Sequence, residues 1–420
     1  MINIYKELLK KIRFILVSII IYRIGVHIPV PGINTYQLSI LFKENNANII
    51  SLFNMFSGGA LERMSIFSLG LMPYISASII IQLMSVSFPK IEKLKKEGEL
   101  GKNKITKYIR YSTVILAFIQ STGIALGLVG RKVLNYKGLI FYLTIILTFV
   151  TGAIFLMWLG EQITEKGIGN GISLIIFSGL LAGVPNALKK TLYLTRKDNS
   201  WDLIPIFELL ILVIIKIALI VLIESGQRRI KVNYPRHQIG KKMYASQSSY
   251  LPIKVNMAGV IPPIFASSIL LFTASLGQWI NKSNGIIQAL SPGKPLYIIF
   301  FVVSVIFFSF FYTSIIFNSK EVAFNLKKTG GVIQGIRPGE KTARYIEKVT
   351  KKLNLFGAIY ITFFSLIPQI IMVYCTIPFY FGGTSILIMV VVVMDFITQI
   401  QSYLMSKKYE IVGYRNKKEI

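Results

Sequence analysis

The sequence predicts an all-α polytopic membrane protein with ten transmembrane helices, and three observations carry that prediction. Hydrophobic residues make up 53% of the 420-residue chain against 15% charged, with a mean hydropathy of +0.60, outside the range of soluble domains. The apolar residues gather in blocks near the ~20 residues a helix needs to cross ~30 Å of hydrocarbon, which excludes the weaker alternating pattern of an outer-membrane barrel. The 47 Lys and Arg, against 18 Asp and Glu, give a formal net charge of +29 and lie between those blocks. There they orient a chain in an anionic membrane, whereas a nucleic-acid site would gather them along one soluble face.

Taken in order, the spans are Phe14 to Ile28, Ser68 to Phe88, Tyr108 to Val129, Leu139 to Leu159, Gly171 to Leu188, Leu203 to Ile223, Val255 to Leu276, Leu296 to Phe317, Leu353 to Tyr374, and Gly383 to Leu404. The first follows Lys6, Lys10, Lys11 and Arg13 as a secretory signal would, but "HIPVPGIN" stands where a small-residue cleavage site belongs, so it reads as a retained span. Ahead of the second span, Asn54 to Phe67 mixes bulky apolar residues with Ser57, Gly58, Gly59, Glu62 and Arg63, and is too polar to cross lipid. The fifth span is short and begins at "GIGNGIS"; Pro205, Glu208 and Lys216 interrupt the sixth, and Pro262-Pro263 the seventh. Pro and Gly persist in lipid only where neighbours or water satisfy the freed backbone groups, so these helices face a protein interior. Lys216 either marks an ion pathway or snorkels or pairs with a partner subunit. Arg23, near the outer end of the first span, reads as snorkelling.

An even number of spans puts both termini on one side. The connections on that side are the basic ones, Lys90 to Lys107, Arg228 to Lys254, Lys320 to Lys352 and the tail Lys407 to Lys418, so the positive-inside rule places them in the cytoplasm. Arg131, Lys132, Lys137, Lys189, Lys190, Arg196 and Lys197 weaken that rule without reversing it. Five spans on each side of a long connection near Ser200 predict two pseudo-symmetric halves, 1–200 and 201–420, of inverted orientation, although residue identity shows no repeat. Cys375 is the single cysteine, and with His27 and His237 it completes the set of soft ligands, so no disulfide, metal or cofactor is expected. Gly167, Gly169 and Gly171 lack the Lys-Ser/Thr ending of a phosphate loop, and no Ser or Cys sits in a nucleophile motif, so the chain is not expected to be an enzyme.

Six stretches, in order along nearly the whole chain, resemble one known family. They are "NMFSGGALERMSIFSLGLMPYISASIIIQ" (Asn54 to Gln82), "KKEGELGKNKITKYIRY" (Lys95 to Tyr111), "GIGNGISLIIFSGLLAGVP" (Gly167 to Pro185), "YPRHQIGKKMYASQSSYLPIKVNMAGVIPPIFASSI" (Tyr234 to Ile269), "GIRPGEKTARYI" (Gly335 to Ile346) and "GGTSILIMVVVVMDFITQIQ" (Gly382 to Gln401). The family is SecY, the protein-conducting channel of the general secretory translocon. The resemblance implies a passive conduit that passes unfolded secretory polypeptides and releases transmembrane segments sideways into lipid, with energy supplied by a partner.

It further implies that the segment at about 51–67, with Asn54, Met55, Phe56, Ser57, Gly58, Gly59, Ala60 and Leu61, dips back into the membrane as a plug in the outer funnel of an hourglass pore. Such backbone is tolerated at membrane depth only inside protein or facing water, and Gly58-Gly59 permits close packing and hinging. The family's aliphatic pore ring falls on Ile75 and Ile79 in "PYISASI", Ile176 and Leu180 in "SLIIFSGL", Ile264 in "IPPIF" and Ile388 in "TSILI". Spacing of four puts each of the first two pairs on one helical face. Read singly, each Ile is ordinary helix packing; the matched motifs assign the ring, which would exclude ions by dewetting and yield around a moving chain.

A lateral gate is implied where the helices holding Ser76 to Met84 and Thr113 to Gln120 meet those holding Ile261 to Ile269 and Phe301 to Phe311, with Gln82 and Gln120 placed to hydrogen-bond there or to act as ordinary helix glue. The loops at about 224–254 and 318–352 would dock the SecA motor or the ribosome, chiefly through Arg337 of "GIRPG", with Arg229, Lys231, Arg236, Lys241 and Lys242 in support. SecE would clamp the halves, with SecG peripheral. The chain departs from the family pattern at Pro263, Thr273, Phe324 and Gln334, the last two in the docking loop. A secondary transporter, argued from Lys216, Glu208 and Asp395, and a poreless membrane scaffold are the rival readings. Abundant Ile, Asn and Lys suggest an AT-rich genome, and the bacterial pattern of Tyr234 to Ile269 favours a bacterial cytoplasmic membrane over a plastid thylakoid.

Overall fold

Each predicted span coincides largely with a helix, although residues 68–71 of the second span and 255–260 of the seventh precede theirs, and most of the helices outrun the span at one end. The structure, a computed structural model, describes residues 2–33, 54, 57–129, 139–197, 204–234, 238–239, 242–243, 248–280, 294–374 and 383–418. The span helices are α1 (Ile2–His27), α2 (Met72–Ser87), α4 (Glu99–Val129), α5 (Leu139–Lys166), α6 (Gly171–Lys197), α7 (Ile204–Glu224), α8 (Ile261–Ile280), α9 (Pro295–Ile316), α11 (Glu340–Tyr374) and α12 (Gly383–Lys418). Between them lie the short helices α3 (Pro89–Lys96) and α10 (Ser319–Lys328). The extra turns of α1, α4, α11 and α12 are rich in Lys and Glu, which are good helix formers, so the helix runs on where the apolar block ends.

The prolines behave differently from expectation. Pro205 and Pro262-Pro263 do not interrupt their helices but sit in the first turns of α7 and α8. There the missing N–H is one of the groups a helix leaves unbonded anyway. The fifth span is not short: α6 continues through Pro185 to Lys197.

The basic connections predicted as loops contain a small antiparallel sheet. Strand β1 (Gln227–Asn233) pairs with β4 (Ser248–Lys254) from Gln227↔Lys254 to Asn233↔Ser248, and β5 (Val332–Ile333) adds to its other edge, giving the order β4-β1-β5. A further pair, β2 (Gln238–Ile239) and β3 (Lys242–Met243), forms its own ribbon. Alternation along β1 buries Ile230 and Val232 against Ile253, Leu326, Ile333 and Ile346, while Arg229 and Lys231 face outward. The Asn318 side chain caps α10, accepting from the N–H groups of Lys320 and Glu321.

The span helices pack α2 on α4, α4 on α5, α5 on α6, α8 on α9, α9 on α11, and α12 on α11, α7 and α6, while α8 also meets α2 and α4. One apolar core draws on α1, α2, α5 to α9, α11 and α12. The outer faces carry Leu139, Ile140, Leu143 and Leu147 of α5, Leu210, Ile211, Ile214 and Ile215 of α7, and Ile299, Phe300, Val303 and Phe307 of α9. Apolar surface this continuous belongs against lipid. Four stretches, Glu99–Leu126, Leu139–Lys166, Pro295–Lys328 and Thr384–Tyr409, are long and apolar enough to span a membrane by length and composition alone.

Candidate functional site

The six aliphatic side chains assigned to a ring come from four helices and are all buried in the one large apolar core. Ile75 and Ile79 project from α2, Ile176 and Leu180 from α6, Ile264 from α8 and Ile388 from α12, and none is more than 6% exposed. Among their helices, α2 packs on α8 and α6 on α12.

The connection from 57 to 71 lies against this cluster as a series of turns. Ala60 and Phe67 belong to the same core as the six aliphatics, and Leu61 is buried in an adjacent cluster with Val30 and Phe149. Asn54 organises the segment: its backbone carbonyl accepts from the Gly59 N–H at 2.8 Å, its side-chain carbonyl from the Glu62 N–H at 3.0 Å, and its amide donates to Glu62 at 3.1 Å. The Ser57 hydroxyl donates to the same Asn54 carbonyl, and Ser68 donates to Ala60 and Ser65. Met55 and Phe56 lie outside the described residues.

At Gly58 the backbone takes φ +68°, and a Cβ there would stand 2.9 Å from the Gly179 Cα, one residue from Leu180. The segment is thus seated on α6 at the level of the aliphatic cluster, at a contact only glycine permits.

The residues that grip this segment were not legible as such. The Tyr22 hydroxyl donates to the Ser57 carbonyl at 3.1 Å, and the Arg23 guanidinium to the Gly58 carbonyl at 3.3 Å. Arg23 therefore does more than snorkel: half-buried, it bonds the Gly58 carbonyl presented beside it. The Phe67 ring stacks between Tyr22 and Phe155, with centroids 6.2 and 5.7 Å away, and Gly25 leaves the space that ring occupies. An Arg in a span without an acidic neighbour was the signal available in the sequence.

At the meeting of α2, α4 and α8 the two glutamines do not bond to each other. The Gln82 amide donates to Ser78 on its own helix at 3.0 Å, and both Gln82 and Gln120 leave the side-chain carbonyl buried without a hydrogen bond. Across the junction the polar contact is instead Ser268 of α8, whose hydroxyl lies 3.8 Å from the Met72 sulfur. Pro263 is buried in the first turn of α8, and Thr273 returns its hydroxyl to Ile269, so the helix continues past it to Ile280. Lys216 is buried at 3% exposure, in line with Ile220 and Glu224 on the inward face of α7.

Arg337 is exposed on a short loop between β5 and α11, with Gly335 at φ +79° and Gly339 at φ +104° on either side. The Thr342 hydroxyl donates to its carbonyl at 3.0 Å, fixing the loop. Arg337 makes no ion pair among the described residues, whereas nearby Arg344 and Lys351 are bound to Glu340 and Glu347 at 2.9 and 2.7 Å. The hydrogen bond from Lys351 holds the Glu347 carboxyl below its ordinary range. Arg229 and Lys231 point outward from β1 on the same sheet, and Phe324 and Gln334 are exposed nearby. Arg236 and Lys241 lie outside the described residues; Lys242 is in β3, its side chain outside them.

Residues 65–397 match the family described as SecY. This chain belongs to the SecY family. It is 55% identical over 413 residues, 96% of its length and 92% of the relative's, to the protein translocase subunit SecY of Pseudomonas aeruginosa. Among solved structures its fold is similar to one described as "The structure of a protein conducting channel", with a TM-score of 0.69 at 18% identity, covering 95% of this chain and 93% of that one. It is also similar, with a TM-score of 0.66 at 18% identity over 95% and 93% of the two chains, to Sec61 in the canine ribosome-channel complex from the endoplasmic reticulum. As a SecY-family member the chain is a membrane-embedded channel subunit for polypeptide translocation, with no catalytic role of its own.

Proposed function

We propose that this SecY-family chain conducts unfolded polypeptides through a passage between its two halves, 1–200 and 201–420, narrowed by Ile75, Ile79, Ile176, Leu180, Ile264 and Ile388 and stoppered at rest by the segment at about 51–67. One observation supports the reading: all six aliphatic side chains, from four helices, are buried in the same apolar core, and the glycine turn at Gly58 is seated on α6 one residue from Leu180. A ring of charges or carbonyls would hold particular side chains of a client; a ring of aliphatics holds none, and bare water and small ions lose hydration in it. Sideways release follows where α2 and α4 meet α8, because an apolar client helix can partition from that junction into lipid.

The sheet and the Arg337 loop form the docking face for the SecA motor or the ribosome. What supports this is an exposed guanidinium with no ion pair among the described residues, on a loop fixed by Thr342 that follows a sheet whose β1 turns Arg229 and Lys231 outward, a set suited to carboxylate or RNA phosphate. SecE and SecG are the companion subunits, and the bacterial cytoplasmic membrane is the site of action, with both termini in the cytoplasm. The test is to stall a secretory client in the channel and photo-crosslink it from Ile79, Ile176 and Ile264. Strong crosslinks at all three are expected; crosslinks only from lipid-facing residues such as Ile214 and Phe307 would defeat the pore assignment.

A further inference from the structure

The turn from the docking sheet into α8 is held by a buried pair that none of the elements described so far requires. Glu224 is the last residue of α7, and Asn256 lies between β4 and α8. They are 7% and 4% exposed, and the Asn256 amide donates to the Glu224 carboxylate at 3.1 Å. The same amide donates to the Gly259 carbonyl at 3.3 Å, and the Asn256 side-chain carbonyl accepts from the Gly259 N–H at 3.1 Å. One side chain therefore closes its own turn and ties that turn to the preceding helix.

The base of the β1–β4 hairpin is closed at the same level by the Val255 N–H donating to the Gly226 carbonyl at 3.1 Å. On α11, Gly357 leaves the turn room: a Cβ there would lie 3.2 Å from the Val255 carbonyl and 3.6 Å from the Asn256 Cα. Lys254 reaches Asp395 of α12 at 3.5 Å, so the turn is braced from α7, α11 and α12 together. A carboxylate is badly placed for stability alone here, since it is buried and sits at the negative end of a helix dipole. Apolar residues of similar size would serve a purely structural join as well. Its position at the turn that joins the sheet to α8 points to a role beyond packing.

We infer that Glu224 and Asn256 are positioning residues, whose hydrogen bond makes a stiff elbow of residues 255–260 so that a load on the Arg337 loop and its sheet rotates α8, carrying Ile264 and Ser268 with it. This rests on the proposed reading of the sheet as docking face and of the α2–α8 junction as gate. The elbow is the covalent and hydrogen-bonded route from one to the other: Arg337 loop, β5, β1, β4, Asn256, α8. A loose turn would let the sheet tilt while α8 stayed in place.

The test uses the full-length chain in membranes with its companion subunits, Cys375→Ser in the background, and cysteines replacing Met72 and Ser268 across the junction. Disulfide formation is timed with and without the SecA motor and ATP, and motor affinity is measured separately. In the parent the motor is expected to slow crosslinking several-fold. E224A and N256A should bind the motor with unchanged Kd yet lose most of that response, whereas E224Q, which keeps an oxygen for the Asn256 amide, should retain it. N256D should also lose the response, and exchanging donor and acceptor in E224Q/N256D should restore it, a comparison that stands even if the alanine variants do not accumulate. A full response in E224A or N256A, or an E224Q variant as unresponsive as E224A, overturns the inference. A parent that shows no motor response overturns the gate reading itself and the elbow with it, and is recognised before any change at position 224.

Discussion

Gly58 illustrates how much of this channel rests on single contacts. Its φ of +68° costs a side-chain-bearing residue ~1–2 kcal/mol, and its neighbour across the gap is the Gly179 backbone, which has no flexible end to yield. Gly58→Ala should therefore raise the displaced fraction of the stopper about tenfold, read as a resting ion leak in vesicles, while secretion continues. Tyr22→Phe removes one hydrogen bond to the Ser57 carbonyl, worth ~1 kcal/mol, and should raise the leak about fivefold. An unchanged leak in both variants would separate the 57–71 segment from any sealing role. At the ring, Ile79→Asn should hydrate the constriction and increase ion conductance once the stopper is displaced, with little loss of polypeptide transport. The proposed ring residues could be named in advance because matched motifs pick them out, and each was placed in the core. Tyr22 and Arg23 could not, because their partners are backbone carbonyls 35 residues away, which no side-chain pattern announces.

At the level of elements, the spans were legible because lipid imposes a length and a composition, and each apolar block became a helix. Their ends were not: α11 begins at Glu340, well before its apolar block, because charged residues such as Glu340, Lys341 and Arg344 favour helix in water as well. The prolines at 205, 262 and 263 read as breaks because sequence alone does not fix where a helix starts; one residue of register decides between a kink and a first turn. The docking sheet was hidden by its own charges. Alternation along "RIKVN" was present, but Arg229 and Lys231 supplied the solvent face and the stretch read as a basic loop. That sheet has a small core of its own, so Val232→Asp should cost ~3 kcal/mol or more locally and abolish motor docking while the span helices persist, as judged by membrane abundance and circular dichroism. Arg337→Glu should weaken motor binding at least about tenfold with no change in abundance or in resting leak. If R337E binds as the parent does, the docking face lies elsewhere.

In the proposed reading the whole molecule presents two solvents to a client, an aliphatic constriction inside and lipid outside, with the α2–α8 junction between them. Sorting should then follow transfer free energy. For a client segment near the threshold, three Ala-to-Leu changes, at roughly 0.5 kcal/mol each, should raise the inserted-to-secreted ratio about tenfold, scored by protease protection. A ratio indifferent to hydrophobicity would mean that segments leave by some route other than this junction. The exposed apolar belts of α5, α7 and α9 fit this division and were foreshadowed by composition. How the glutamines stand was not: Gln82 turns its amide to Ser78 of its own helix, and among the described residues both Gln82 and Gln120 keep an unbonded carbonyl.

The grip of α1 on the stopper ends on the carbonyls of Ser57 and Gly58, groups every amino acid carries. A substitution elsewhere in the stopper that spares Gly58 and the Asn54–Glu62 bonds thus leaves those anchor points untouched. What holds the segment at rest is written in its backbone, and what shapes it is written at those three positions.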